Sequence, residues 1–126
     1  MIAGIGTDII RIDRIADTVE RHGDRFASRI LTPLEFRTYH TIANPVPFLA
    51  KRFAAKEATS KALGTGIGKV SFQDIEVINN DSGAPLLVLH GYARQMQRQR
   101  NISTCHLSLS DESDNAIAFV VLEKQS

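Results

Sequence analysis

Three residues have the types and positions needed to hold a divalent cation with an anion beside it. Asp8 follows a short apolar segment, and Glu57 lies in a helix-forming segment rich in Ala and Phe. Mg²⁺ takes about six oxygen ligands and commonly only one or two protein carboxylates, while phosphate oxygens and water complete the shell. Glu57 and Lys61 share one side of a helix, so the ammonium could offset charge that develops on a bound phosphate. On spacing alone, a helix cap at Asp8 and a Glu57–Lys61 pair within one helix explain these residues more simply.

The segment after Lys61 is rich in glycine. Gly64, Gly66 and Gly68 fall within five residues, and glycine lets backbone amides come close to a phosphate. The segment follows a helix and lacks the terminal Lys and Ser or Thr of a nucleotide-binding loop. By itself it is more typical of a flexible turn.

A second polar cluster lies late in the chain. Alternation places His106, Ser108 and Ser110 on one face of a predicted strand whose other face is apolar. Such a row lines a ligand groove or is the solvated side of a half-buried strand, and the second case is commoner. Because Cys105 is the only cysteine, neither a zinc cluster nor a Cys/His nucleophile pair is expected. We therefore expect phosphate chemistry with a nucleophile that is not part of this chain.

Composition limits the class of protein. The chain has 126 residues, 43% of them apolar, and a net charge of +1, which suits one compact domain over residues 1–126 without a polybasic or acidic tail. No apolar run approaches membrane-spanning length, and no leader segment is recognisable at the start. With its single cysteine, the chain is expected to be a soluble, unprocessed protein of a reducing compartment, by default the cytoplasm.

The elements that position these residues follow from periodicity and from helix and turn signals. We expect a strand over residues 2–7 that ends where Asp8 begins the next element, and an amphipathic helix over 9–30 interrupted at Gly23. Thr32 and Glu35 form a capping box for a short helix to about residue 41. The remaining expected elements are a helix over 48–63, a hairpin of strands 72–78 and 85–89, a helix over 91–101, and strands 102–109 and 115–122. Helices first and mainly antiparallel strands later predict an α+β fold.

The 9–30 helix has sorted charges. Arg14, Arg21 and Arg25 share one stripe, separate from the apolar side and from the acidic residues. The interruption at Gly23 makes the phase of Arg25 relative to Arg14 unreliable. Such a row is usually only a solvated face.

Three stretches of the chain together resemble a known family. They are Gly4-Ile5-Gly6-Thr7-Asp8-Ile9-Ile10 with Arg14, Arg52-Phe53-Ala54-Ala55-Lys56-Glu57-Ala58-Thr59-Ser60-Lys61-Ala62-Leu63-Gly64, and His106-Leu107-Ser108-Leu109-Ser110. They closely resemble bacterial holo-acyl-carrier-protein synthases, the short class of 4'-phosphopantetheinyl transferases, over essentially the whole chain. The specific part of the resemblance is Phe-Ala-Ala-Lys-Glu-Ala with Lys61, paired with an N-terminal Gly-x-Asp at the expected separation, since either half alone is weak evidence. Phe53 stands where many relatives of the wider superfamily have tryptophan, a replacement usual in the short class.

The resemblance implies N-terminal helices packed on a mainly antiparallel sheet, and transfer of phosphopantetheine from coenzyme A to a serine of apo acyl carrier protein. It implies that Asp8 and Glu57 bind Mg²⁺, that Lys61 contacts the diphosphate, and that the coenzyme passes Gly64, Gly66 and His106. The proton acceptor stays open between a metal-bound water and Glu57 acting through water. Adenosine 3',5'-bisphosphate would be released, in support of fatty acid biosynthesis.

The resemblance also implies protein partners. The acidic carrier protein would dock on Arg14, Arg21 and Arg25, which steer and orient it. Family members form homotrimers with active sites between neighbouring subunits. Neither nucleic acid nor membrane is an expected partner.

Two other classes compete with this interpretation. In a small RNA-binding or nucleotide-binding module, the basic residues between 11 and 29 would grip phosphates and the sheet would offer a platform. The strands have few aromatic residues and the chain has no tryptophan, which disfavours this class. A structural trimeric scaffold without turnover is the other alternative. Neither would depend on Mg²⁺ at low salt.

Overall fold

A computed structural model describes residues 1–125 and shows an α+β architecture. In chain order, the strands and helices are β1 (Ile2–Arg11), α1 (Ile12–His22), α2 (Asp24–Ile30), α3 (Pro33–Tyr39), α4 (Val46–Ala62), β2 (Ile75–Asn79), β3 (Pro85–Leu89), α5 (Gly91–Gln99), β4 (Ile102–Asp111) and β5 (Asn115–Lys124). A short 3₁₀ turn, Phe72–Asp74, precedes β2. None of the helices within residues 1–125 is long and apolar enough to cross a membrane.

The main sheet has three antiparallel strands in the order β1-β5-β4, and β2 and β3 form a separate hairpin. Helix α4 packs against β1 and β5, and α1 packs against α4. Most of the core lies between α4 and the sheet, where Ala54, Ala58, Val120 and Leu122 are fully buried. Helices therefore cover one face of a mainly antiparallel sheet, as expected.

Local signals in the sequence located several element ends correctly. Gly23 separates α1 from α2 and has a positive φ of 58°. The capping box is present, since the Thr32 amide donates to Glu35 Oε1 at 2.8 Å and the Glu35 amide donates to Thr32 Oγ1 at 3.3 Å. Helix α4 begins earlier than predicted, at Val46, because Pro47 lies in the first turn, where a proline is tolerated. The short helix predicted to about residue 41 ends at Tyr39.

The prediction that Asp8 lies at a strand-to-helix junction is wrong. Strand β1 continues to Arg11 because its pairing with β5 is unbroken from Gly4 opposite Leu122 to Arg11 opposite Asn115. Asp8 therefore lies inside the strand. It does not cap α1, whose N-cap is Arg11 without a side-chain capping bond.

Alternation along β1 gives the strand two different faces. Gly4, Gly6, Asp8 and Ile10 face α4, while Ile5, Thr7 and Ile9 are exposed on the opposite side. We call the α4 side the inner face and the other side the outer face. Asp8 is thus directed toward the helix that contains Glu57 and Lys61.

Candidate active site

Two glycines let β1 approach α4 closely enough to bring Asp8 to the helix. A Cβ on Gly6 would collide with the Ala58 carbonyl oxygen and lie 2.8 Å from the Ala62 amide nitrogen, and a Cβ on Gly4 would collide with the Ala62 carbonyl oxygen. No larger residue fits at either position without moving the strand away from the helix. The Gly-x-Gly-x-Asp spacing therefore sets the distance between Asp8 and α4.

The Lys61 ammonium joins the two elements. Its Nζ donates to Asp8 Oδ1 at 3.0 Å and to the Thr7 carbonyl oxygen at 3.1 Å. The Asp8 side chain is 15% exposed and the Lys61 side chain 51% exposed. The structure thus brings the Asp8 and Lys61 side chains into contact. Within the described chain Lys61 pairs with Asp8 across the two elements, where spacing alone favoured a pair with Glu57.

Glu57 lies close enough to Asp8 for the two carboxylates to influence each other. Burial raises the pKa of the Glu57 carboxyl above its usual value, the negative charge of Asp8 raises it further, and Lys61 partly offsets both effects. A carboxylate held beside another carboxylate is stabilised by a cation between them. The arrangement favours a positive ion near these side chains.

These residues fit a magnesium ion. The Asp8 carboxylate and the Thr7 carbonyl already surround one cation, the Lys61 ammonium, and all the available donors are hard oxygens. Within residues 1–125, no group of three or more His, Cys, Asp or Glu side chains is placed to hold a metal ion. A metal here would depend on the carboxylate pair and on oxygens that a ligand brings with it.

The glycine segment ends α4. Gly64 has φ of 81° and Gly66 φ of 65°, and the amides of Gly64, Thr65 and Gly66 donate to the carbonyls of Lys61 and Ser60. These amides satisfy the last carbonyls of the helix, as at many helix C-termini. The space that a Cβ would take is open at both glycines.

His106 lies on the other side of the sheet from Asp8. The register of β1, β5 and β4 aligns Ile5 with Val121 and His106, and this row is on the outer face. His106 Nε2 is 2.8 Å from Glu123 Oε1, and this contact lowers the pKa of the exposed Glu123 carboxyl. One chain therefore does not bring His106 to Asp8 and Glu57.

The three arginines are on the exposed surface of α1 and α2. None of the ion pairs within residues 1–125 involves Arg14, Arg21 or Arg25. Arg25 lines a small cleft of about 140 Å³ together with Phe26 and Arg29. Their guanidinium groups are therefore available to an acidic surface.

Sequence reasoning missed the part played by Lys56. Its side chain is fully buried, and its Nζ donates to Glu35 Oε1 and to the Ile30 carbonyl, both at 2.6 Å. Glu35 Oε2 also accepts the Val77 amide at 2.8 Å. Burial lowers the pKa of Lys56, and Glu35 opposes that shift. This ion pair connects α2, α3 and β2 to α4, and no spacing in the sequence indicated it.

Comparison with known proteins gives a consistent result. Residues 4–120 match the model of the 4'-phosphopantetheinyl transferase superfamily. The holo-[acyl-carrier-protein] synthase of Aliivibrio salmonicida is 49% identical over 123 residues, which cover 97% of this chain and 98% of that protein. The crystal structure of the Neisseria meningitidis holo-[acyl-carrier-protein] synthase has a TM-score of 0.93 at 46% identity, covering 98% of this chain and 100% of that one. The Bacillus anthracis synthase, solved in complex with CoA (3',5'-ADP), has a TM-score of 0.85 at 44% identity and covers 99% of each chain.

The α+β fold, the Gly-x-Gly-x-Asp strand against the Lys-Glu-Ala helix, and these matches place the chain in the 4'-phosphopantetheinyl transferase superfamily. The chain is an enzyme of that superfamily. Within it, the chain belongs with the holo-[acyl-carrier-protein] synthases, as the resemblance in the sequence implied.

Proposed function

We propose that the chain transfers 4'-phosphopantetheine from coenzyme A to a serine of apo acyl carrier protein, with Mg²⁺, and supports fatty acid biosynthesis. The observation that supports this best is the meeting of Asp8, Glu57 and Lys61 at the contact of β1 with α4. Asp8 and Glu57 would hold the metal, and Lys61 would contact the diphosphate. A reducing compartment such as the cytoplasm suits the single cysteine.

In the proposed reaction, the serine oxygen attacks the phosphorus that bears the pantetheine arm. The bond between that phosphorus and the bridging oxygen of the diphosphate breaks, and adenosine 3',5'-bisphosphate leaves with the electron pair. Lys61 stabilises the charge that builds on the leaving phosphate. Glu57 would accept the serine proton through water. When bound, Mg²⁺ would supply further charge neutralisation at the diphosphate.

A mass assay tests the reaction directly. The purified chain is incubated with coenzyme A, Mg²⁺ and apo acyl carrier protein, and the carrier is analysed by mass spectrometry. The transferred group adds about 340 Da, an increment that follows from the bonds broken and formed. An RNA-binding module or an inert scaffold would leave the carrier unchanged, and no mass gain with metal and coenzyme present would contradict the proposal.

The exposed arginines are the proposed docking surface for the carrier protein. Arg14→Glu should weaken carrier binding by at least about tenfold, because a steering cation becomes a repelling anion, while coenzyme binding should change by less than about twofold. Arg98→Glu on α5 makes the same charge change on another exposed surface and serves as the control. Titration calorimetry with carrier and with coenzyme separates the two effects. Equal losses for both ligands would argue against docking on this surface.

The outer face supports the proposal of a homotrimer. Ile5 is 63% exposed and Phe119 is 43% exposed, and Ile9 and Ile117 extend the same apolar surface. An apolar sheet face of this kind is typical of an interaction surface. In such an assembly, His106 on this face would reach a coenzyme held by a neighbouring chain, since it cannot reach the site of its own.

Light scattering measures the assembly. Since one chain has a mass of 13.9 kDa, a trimer has a mass of about 42 kDa. Phe119→Lys should shift the mass toward 13.9 kDa, because three buried ammonium groups without partners would oppose association. Leu86→Lys changes an exposed apolar residue outside the main sheet and should leave the mass unchanged. A wild-type mass of one chain would contradict the trimer.

A further inference from the structure

The Lys61 ammonium contacts oxygens that a metal ion at this site would use. It contacts the Asp8 carboxylate at 3.0 Å and the Thr7 carbonyl oxygen at 3.1 Å, and these are the hard oxygens available to a divalent cation on this side of the site. Two cations cannot share these oxygens at such distances without strong repulsion. An ammonium and a metal ion would therefore compete for the Asp8 Oδ1 and Thr7 carbonyl oxygens.

Lys61 is able to leave. Its side chain is 51% exposed and ends in a compact charge on a flexible stem, whereas the Asp8 side chain is only 15% exposed and is fixed by its place in β1. Leaving costs the free chain the ion pair between Lys61 and Asp8. When a diphosphate is present, the ammonium exchanges one anion for another, and that loss is largely offset.

We propose that Lys61 and the divalent cation compete for Asp8, so that the site binds the metal tightly only together with a diphosphate. This inference rests on the proposed metal site and adds how its occupancy is controlled. The metal releases Lys61 for the diphosphate, and the diphosphate stabilises the released ammonium. Each ligand therefore raises the affinity for the other, and the coupling is reciprocal. Without a diphosphate, the site binds the metal ion weakly.

The experiment measures Mn²⁺ binding, followed by the electron paramagnetic resonance signal of free Mn²⁺, with no acceptor protein present. Lys61→Met should bind Mn²⁺ about tenfold more tightly than the wild type without coenzyme A, because the competing ammonium is gone. Coenzyme A should raise Mn²⁺ affinity strongly in the wild type and much less in Lys61→Met, after correction for Mn²⁺ held by free coenzyme. Lys61→Gln provides a second variant should Lys61→Met fail to fold, as judged by circular dichroism.

A matched control removes the effect of overall charge. Lys51→Met deletes the same charge from the same helix, at a lysine paired with Asp111 at 3.3 Å, and should alter Mn²⁺ affinity by less than about twofold. Unchanged or weaker Mn²⁺ binding in both Lys61 variants would overturn the competition.

Asp8→Asn separates this inference from the function on which it rests. If wild-type binding requires Asp8 but the Lys61 variants bind Mn²⁺ like the wild type, only the competition is wrong. If the wild type binds no Mn²⁺ even with coenzyme A, or binds it equally well without the Asp8 carboxylate, the metal site itself is wrong and the competition with it.

Discussion

Glu57→Gln is expected to lower the rate of Mg²⁺-dependent phosphopantetheine transfer at least about 100-fold, because an amide is a much poorer metal ligand and proton acceptor than a carboxylate. The change preserves the size of the side chain, and the α4 backbone need not move. The measurement is the initial rate of carrier modification at saturating coenzyme, as a function of Mg²⁺ concentration. Glu112→Gln in the exposed turn between β4 and β5 is the control, and it should retain the wild-type rate. Full activity of Glu57→Gln would show that the ligand assignment is wrong.

The same substitution should stabilise the metal-free protein near neutral pH. The pKa of Glu57 is raised in the folded chain, first by burial and then by Asp8, so the unfolded chain releases this proton at a lower pH than the folded chain. The ionised carboxylate therefore opposes folding above the folded-state pKa, and this effect vanishes below the unfolded value of 4.5. Glutamine removes this negative charge, so the variant should gain stability while it loses the proposed activity. Residues at functional sites commonly lower the stability of the fold in this way.

Thermal unfolding in the presence of a chelator measures this effect. The melting temperature of Glu57→Gln should exceed that of the wild type at pH 7, and the difference should shrink as the pH falls toward 4, where both side chains are neutral. A lower melting temperature at pH 7 would show that Glu57 is held by favourable contacts instead.

Gly6→Ala should destabilise the fold by about 3 kcal/mol or more, which is a large part of the stability of a small domain. The new methyl group would collide with the Ala58 carbonyl oxygen and lie 2.8 Å from the Ala62 amide nitrogen. Both are backbone atoms of the last turns of α4, so neither can rotate away as a side chain would. The strand must separate from α4, and burial on both elements is lost. Chemical denaturation monitored by circular dichroism gives the free energy of unfolding.

Gly64→Ala is the matched control for this experiment. A Cβ at Gly64 meets open space, and the cost comes only from its φ of 81°, which is about 1 kcal/mol for alanine. Gly6→Ala should therefore be much the more damaging of the two. Equal losses would mean that backbone conformation, and not contact with α4, explains the glycine at position 6.

Local signals in the sequence predicted the helices well. The end of β1 and the placement of strand faces could not be predicted in this way, because they depend on contacts between residues far apart in the sequence. The Thr32 capping box and the break at Gly23 act within a few residues, and both were predictable. The end of β1 was not, because the strand continues past Asp8 through its pairing with β5, more than 100 residues away. Period-2 alternation correctly grouped His106 with Ser108 and Ser110 but had no information on which side of the sheet this row lies.

In the candidate site, too, some features follow from local spacing and others depend on contacts between distant parts of the chain. The spacing of Glu57 and Lys61 placed both on one side of α4, and Asp8 was a candidate because it follows a short apolar segment. The resemblance to a family then implied that the three residues act together. The approach of Asp8 to the helix depends on what the Gly4 and Gly6 positions face, which becomes visible only when β1 and α4 are packed together. The partner of Lys56 is Glu35, 21 residues earlier, and no helical spacing connects the two.

The two faces of β1 carry different kinds of residue. Gly4, Gly6 and Asp8 lie on the inner face, and exposed apolar residues lie on the outer face. Because side chains alternate along the strand, inserting or deleting a single residue before Asp8 would reverse every later position up to the end of β1. Asp8 would turn toward the exposed apolar side, and Ile9 would turn toward α4. Gain or loss of one codon in this strand would thus remove the candidate metal carboxylate and the outer apolar surface in one event, whereas substitutions can alter either of them separately. The length of this segment is therefore more tightly constrained than its composition.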